Sequence, residues 1–199
     1  MHISLTDTQF KKLCNNIVIL AQSNEQKNAH ILDYFDSAGI RYRQRSIRDG
    51  DYSFIVEACP ELGIPCDLAF DDDLFIERKN SLQELAQSLY GQKEKKTVVV
   101  DGEKISKTDY NDAFLRELKR AINKPYKFLL VEQKGGWSDL FDKKYPNNYS
   151  VEAFSSMLTV VEERYGLHVR FVRPEDMGKH IYLICKMILK EYVSYGFTR

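Results

Sequence analysis

Long apolar runs are missing from this chain: no stretch approaches the ~20 residues needed to cross a bilayer. The segment Met1 to Leu13 also lacks the apolar centre of a secretory leader. Both absences predict a soluble protein of the cell interior, without a membrane partner. An excess of either charge is missing too. Lys+Arg and Asp+Glu each total 29, which argues against a protein that coats nucleic acid non-specifically, while leaving room for a local basic cleft. Cysteine is sparse and scattered. Cys14, Cys59, Cys66 and Cys185 form no C-x-x-C pair and have no histidine at zinc-ligand spacing, so a zinc module is excluded. They read as buried thiols in a reducing compartment, with a Cys59–Cys66 bridge left open.

Other chemistries fall away for similar reasons. Lys134-Gly135-Gly136-Trp137 lacks the Gly-Lys-Ser/Thr order of a phosphate loop. Trp137 is expected to close the core or a partner surface. Asp71-Asp72-Asp73 lacks the alternation and closing glutamate of a calcium loop and reads as a turn. His30, His168 and His180 have no nucleophile at a recognised spacing. Internal repeats and long linkers are absent as well, so residues 1–199 are expected to form a single domain.

What is present is a succession of short periodic segments. A helix opens the chain within residues 1–16, and Ile17-Val18-Ile19-Leu20 reads as a buried strand. Apolar residues at helical spacing predict a helix over 24–38, closed by Gly39. Arg41, Arg43 and Arg45 alternate with Tyr42, which predicts a strand over 40–47, paired hairpin-like with a strand over 52–56. Residues 58–73 read as irregular. A strand over 74–79 leads into a helix to about Tyr90, capped by Asn80 or Ser81. Asp101-Gly102 between Val-rich and Ile-containing segments predicts an inserted hairpin over 91–109. Helices over 109–122, 151–165 and 174–193 then alternate with strands over 126–131 and 168–172. The order describes an α/β domain with a mixed central sheet flanked by helices.

The chemistry concentrates on two neighbouring strands. Glu77 and Lys79 are two apart, so a strand points both to one face, and pairing can bring Asp51 beside Glu77. Two carboxylates form a hard oxygen site suited to Mg²⁺ or Mn²⁺. Lys79 is placed to orient a water or offset developing charge. Arg78 points to the opposite face, where it holds structure unless a twist turns it toward phosphate. Spacing alone also fits an ion pair between strands, and both readings stay open on that ground. The arginines 41, 43, 45 and 48 fit either a DNA-backbone contact or a solvated, charge-protected edge strand. Arg116, Lys119 and Arg120 read as a solvated helix face.

Longer words add a family. Gly50-Asp51-Tyr52-Ser53-Phe54, followed by Ile76-Glu77-Arg78-Lys79-Asn80-Ser81, resembles the GDY…ERK hallmark of the XPF-family nuclease domain. The stand-alone bacterial and phage versions are the most similar in kind. Residues 17–194 share the likeness, including Glu25-Gln26-Lys27-Asn28, Lys127-Phe128-Leu129-Leu130-Val131-Glu132 and Trp137-Ser138-Asp139-Leu140. The resemblance implies a PD-(D/E)XK restriction-endonuclease-like core and Mg²⁺-dependent cleavage of branched or flapped DNA. It also implies a role in DNA repair or recombination in the cytoplasm of a bacterium or phage-infected host. Asp51 and Glu77 would bind metal, Lys79 and Arg78 would complete the catalytic set, and Glu25 is a further candidate ligand. A homodimer through the terminal helix is compatible with it. Three accessory positions depart from the family: Gln22-Ser23-Asn24-Glu25 stands for its Asp-x-Arg-Glu, Gln83 for a later Asp, and a downstream Arg has no counterpart. These departures motivate a second expectation, a catalytically impaired DNA-binding or regulatory protein on the same fold. A protein-interaction role for the 91–109 hairpin is a third.

Overall fold

The computed structural model describes residues 5–25, 27–90, 92–100, 103–111, 113–145 and 149–195, with 92–100 and 103–111 described by backbone alone. Helix α1 (Asp7–Cys14) starts at Thr6, which exchanges hydrogen bonds with Gln9 in a capping box. Strand β1 (Ile17–Gln22) follows, then α2 (Ala29–Ser37), β2 (Arg41–Arg45), β3 (Tyr52–Val56), a 3-10 turn at Pro60–Leu62, β4 (Leu68–Ala69) and β5 (Leu74–Lys79). Next come α3 (Leu82–Tyr90), the paired β6 (Gln92–Val100) and β7 (Glu103–Asn111), and α4 (Ala113–Arg120). The chain closes with β8 (Tyr126–Glu132), α5 (Trp137–Phe141), α6 (Val151–Tyr165), β9 (His168–Val172), a 3-10 turn at Pro174–Asp176 and α7 (Met177–Tyr195). No helix among the described residues is long and apolar enough to cross a membrane.

The main sheet runs β2-β1-β3-β5-β8-β9, with β4 added on β3. Strand β1 is parallel to β2 and antiparallel to β3, and β5, β8 and β9 are mutually parallel. The expected hairpin between residues 40–47 and 52–56 is therefore corrected: β1 lies between the two strands. The reason is burial. Ile17 to Ala21 are apolar on both sides and gain most at an interior position, whereas the arginine-rich β2 tolerates only an edge.

Registry divides the side chains into two faces. Ile19, Tyr52, Phe54, Ile76, Phe128 and Leu130 pack under α1, α2 and α7 in the larger core. Phe75, Leu129 and Val131 face the other way and are covered by α3, α4 and α6. On that second face, the part formed by β1 and β3 holds only a small cluster of Val18, Leu20, Ile47 and Ile55, built from strand and turn residues.

Four boundaries differ from expectation. The helix expected from residue 24 starts at Ala29, because residues 23–25 form a turn that aims Glu25 at the sheet. Gly39 does close it, with φ +64°. The helix expected over 109–122 starts at Ala113, since the hairpin strands run to Asn111 and are longer than the 91–109 segment suggested. The hairpin's Asp101-Gly102 turn lies outside the described residues. Within 58–73, Leu68–Ala69 joins the sheet, and a short helix, α5, fills what read as a loop after β8.

Candidate active site

The C-terminal ends of β1, β5, β8 and β9 and the start of β3 share one edge of the sheet, the customary ligand-binding edge of parallel strands. Asp51 reaches this edge through a sharp turn. Gly50 has φ +84°, and a Cβ there would lie 2.8 Å from the Ile76 carbonyl oxygen and 3.2 Å from the Phe75 ring. Only glycine satisfies both the left-handed backbone and this close approach. The Asp51 N–H then donates to the Ile76 carbonyl at 2.7 Å, and the Asp51 carboxylate accepts from the Arg78 N–H at 2.7 Å. These bonds hold Asp51 beside Glu77.

Glu77, Arg78 and Lys79 alternate across β5. Glu77 and Lys79 face the α3–α4 side, and both are buried, at 5% and 8% exposure. Lys79 Nζ donates to Glu77 Oε1 at 2.5 Å and stands 5.0 Å from the Phe114 ring centroid, a cation–π contact. The second Glu77 oxygen, Oε2, has no hydrogen-bond partner among the described residues. A cleft of about 310 Å³ opens onto the pair, with Glu84, Ser88, Phe114 and Glu117 in its walls.

Burial is the main force on these groups. It pushes Glu77 up to about 7, helped by the charges of Glu117 and Glu25 and opposed by Lys79. Asp51 is raised well above the usual carboxylate range by burial and then by Glu77 and Glu25. Burial works against the Lys79 charge as well, but Glu77 and Asp51 overcome it and hold the ammonium above its ordinary range. Two carboxyls that resist losing their protons, one with an unpartnered oxygen, are a ready site for a hard cation. The donor set fits Mg²⁺ or Mn²⁺. No group of three or more His, Cys, Asp or Glu residues among those described forms a ready cage, so the fit rests on the Asp51–Glu77 pair.

Arg78 has a different environment. Its guanidinium is buried on the opposite face between Glu25 and Glu132. Nε donates to Glu25 Oε1 at 3.0 Å and Nη1 to Glu132 Oε1 at 2.8 Å, while Nη2 also meets Glu25. His30 Nε2 lies 2.8 Å from the same Glu132 oxygen. Glu25 is thus brought to Arg78, with its charge still felt by the acids across the sheet.

Several of these residues escaped sequence reasoning. Glu117 comes from α4, accepts the Gly50 N–H at 2.9 Å and faces the cleft. Arg120 lies on the solvated face expected for it, with Arg116 and Lys119, and from there also donates to Asp49 at 2.9 Å, docking α4 against the turn that carries Asp51. Glu132 and His30 were visible only as ordinary strand and helix residues. The one available signal was the apolar stripe of α4, which predicts that its neighbours border whatever the helix covers. Gln22, where the resemblance leads one to expect an Asp, donates to the Ile47 carbonyl at 3.2 Å and accepts its N–H at 3.0 Å, a pairing that a carboxylate could not make. Ser81 and Glu84 cap α3, so Glu84 is tied to the Asn80 N–H at 3.1 Å.

The arginines share the face of the candidate site. Leu20 pairs with Arg43 and with Ser53, which places Arg41, Arg43 and Arg45 on the side of the sheet that carries Asp51, Glu77 and Lys79. They are exposed, with Arg41 and Arg43 both 2.6 Å from Glu57 and Arg45 paired with Asp71. Arg48 is 80% exposed, 3.9 Å from Asp49.

Comparison with known proteins agrees with this architecture. The profile of the ERCC4 domain matches residues 22–184. Among solved structures, "XPF from Aeropyrum pernix" superposes with a TM-score of 0.55 at 15% identity, over 88% of this chain and 66% of that one. "XPF from Aeropyrum pernix, complex with DNA" does so with a TM-score of 0.53 at 15% identity, over 89% and 67%. The chain therefore spans just under two thirds of the first structure's length. No curated protein matches by sequence. The mixed sheet with flanking helices is the restriction-endonuclease-like fold that these nuclease domains share.

Proposed function

Because this chain belongs to the ERCC4 domain family, we propose that it is a metal-dependent endonuclease that hydrolyses phosphodiester bonds of DNA, selectively at branched or flapped structures. The observation that carries this reading is the half-buried Asp51 held beside the buried Glu77, with Glu77 Oε2 unpartnered among the described residues and Lys79 against Oε1. Asp51 and Glu77 would hold the ion, Mg²⁺ or Mn²⁺, which when bound would supply Lewis-acid polarisation of the scissile phosphate and a lowered pKa for the attacking water. Lys79 orients that water and offsets charge gathering on the phosphate, from a position set by Glu77 and Phe114. Arg78 acts through position: it ties β5 to Glu25 and Glu132, and its backbone N–H fixes Asp51. Arg41, Arg43, Arg45 and Arg48 lead the DNA backbone across the open part of the same face, phosphates replacing Glu57 and Asp71 as partners. A homodimer would use the exposed Leu183 and Met187 of α7, because Met177, Ile181, Ile184 and Ile188 are consumed in the core.

One observation favours binding without cleavage: Gln22 and Gln83 are neutral where the family has acids, and Glu84 is engaged as a cap. The two readings separate on one assay. Splayed-arm, flap and duplex DNA are incubated with the protein in Mg²⁺ or Mn²⁺, beside Asp51→Ala and Lys79→Ala. The nuclease reading expects cleavage that needs the ion and falls by about 10²–10³-fold in either variant. Binding without cleavage, or cleavage indifferent to both substitutions, overturns it.

A further inference from the structure

Trp137 and Phe141 are large, apolar and exposed, at 41% and 59%. Single exposed apolar residues are ordinary, whereas two neighbouring exposed aromatic rings are a feature that calls for a partner. They are four apart on α5 and so share one side of the helix. Their rings are nearly parallel, 27° apart with centroids at 6.1 Å, and Trp137 also sits edge-to-face on Phe171 at 4.8 Å. The platform is held firmly from beneath. Leu140 is fully buried, and the Asp139 carboxylate accepts from the Gly135 N–H at 2.8 Å, Gln133 Nε2 at 2.6 Å and Lys144 Nζ at 2.8 Å.

Its place in the fold points to its ligand. Val131 pairs with both Lys79 and Phe171, so Phe171 lies on the face that carries Glu77 and Lys79. Residues 133–141 leave β8 at the same edge of the sheet. Strands β5 and β9 flank β8, a separation of roughly 10 Å at ~4.8 Å per strand. That is about three base steps of ~3.4 Å along DNA. Exposed Lys134 and Lys143 bracket the aromatics and suit a phosphate backbone passing beside them. A paired base keeps its faces inside the duplex; an unpaired one offers a face to an aromatic ring.

We propose that Trp137 and Phe141 form a stacking platform for an unpaired nucleobase of the DNA strand flanking the cleavage position. This rests on the nuclease reading above for its substrate, and it adds a reason for choosing single-strand to duplex transitions: the strand is recognised where its bases are free.

Trp137 is the only tryptophan of the chain, so its emission reports contact directly. Protein in EDTA, where no cleavage is expected, is titrated with oligo(dT), flap DNA and blunt duplex, and binding is followed in parallel by anisotropy of labelled DNA. The expected result is strong quenching by oligo(dT) and flap DNA and little by blunt duplex. Trp137→Ala and Phe141→Ala should each weaken oligo(dT) binding by about ten-fold. Their slope with salt should not change, since no phosphate contact is lost. Trp137→Phe should retain most of the affinity. Circular dichroism checks the fold of each variant, and wild-type quenching together with Phe141→Ala decides the matter should Trp137→Ala fail to fold. Binding with unchanged emission, or equal quenching by blunt duplex, overturns the platform and leaves the nuclease reading to its own cleavage assay. Absence of binding to oligo(dT) and flap DNA likewise overturns the platform, while the nuclease reading is decided by cleavage in Mg²⁺ or Mn²⁺.

Discussion

Arg78 on one face of β5 lies between Glu25 and Glu132, with His30 behind, and its charge is balanced inside the fold. One residue away in each direction, Glu77 and Lys79 share the other face with Asp51 and Glu117, where acids outnumber bases and a Glu77 oxygen has no partner among the described residues. Arg78 and Glu132 in the first group and Glu77 and Lys79 in the second are buried, with Glu25, His30, Asp51 and Glu117 half-buried around them, so neither is an accident of the surface. The first is a closed network, which fixes the ends of β1, β5 and β8 relative to one another. The second is left uncompensated within the protein, which is the condition for binding a cation. Consecutive residues on one strand thus do opposite work because the pleat sends them to opposite faces.

Breaking the closed side should have the largest effect on stability. Arg78→Met leaves Glu25 and Glu132 facing each other without their cation, and the expected loss is about 3–5 kcal/mol, read as a lower denaturant midpoint. Lys79→Met should lose far less stability while abolishing cleavage. If the two variants melt alike, the proposed division between faces is wrong.

Gly50→Ala is next. The clash with the Ile76 carbonyl and the φ of +84° should cost about 1–3 kcal/mol and displace Asp51, so cleavage falls more steeply than stability. A fully active Gly50→Ala protein would show that the turn does not set the site.

The open side can also be read by pH. Glu77 is held at about 7 against an ordinary 4.5, so the folded protein binds more protons than the unfolded chain between those values. Stability from this group is therefore full below about pH 4.5 and is lost as pH rises through about 7, by at most about 3 kcal/mol. Asp51 shifts in the same direction. Melting in EDTA from pH 5 to 8 should show the fall; Glu77→Gln should flatten it, and saturating Mg²⁺ should restore stability at pH 8. A melting temperature that climbs with pH over this interval in EDTA would contradict the assignment.

The smallest effect belongs to the rim. Arg43→Ala removes an exposed ion pair, so stability should change by less than about 1 kcal/mol. Its mark should instead be a DNA-binding slope with salt that is shallower by about one. An unchanged slope would assign the arginine row to Glu57 alone.

Much of the candidate site was legible before any coordinates. Gly50-Asp51-Tyr52 and Glu77-Arg78-Lys79 are short words whose chemistry is local: glycine for the left-handed turn, and alternation on a strand to separate Arg78 from its neighbours. The apolar stripes of α3 and α7 were equally readable, since helical period reports burial directly. The strand order was not. Residues 40–47 and 52–56 look like a hairpin because they are adjacent in sequence, yet β1 gains more burial between them than at an edge. Glu117, Glu132, His30 and Arg120 carry no local signal, because each acquires its role from a partner 54 to 102 residues away, or on a helix whose docking is settled elsewhere.

Residue order thus dictated which strand would carry the acids and the lysine, which face each would take, and where a glycine had to stand, since these follow from backbone sterics and the two-residue period of a strand. The packed molecule alone decided that Glu77 would be buried with Asp51 at its side, that Glu25 would be drawn to Arg78, and that Trp137 would stand exposed at the same edge. Those outcomes depend on which apolar faces bury against one another across the whole sheet, and no stretch of sequence contains that information by itself.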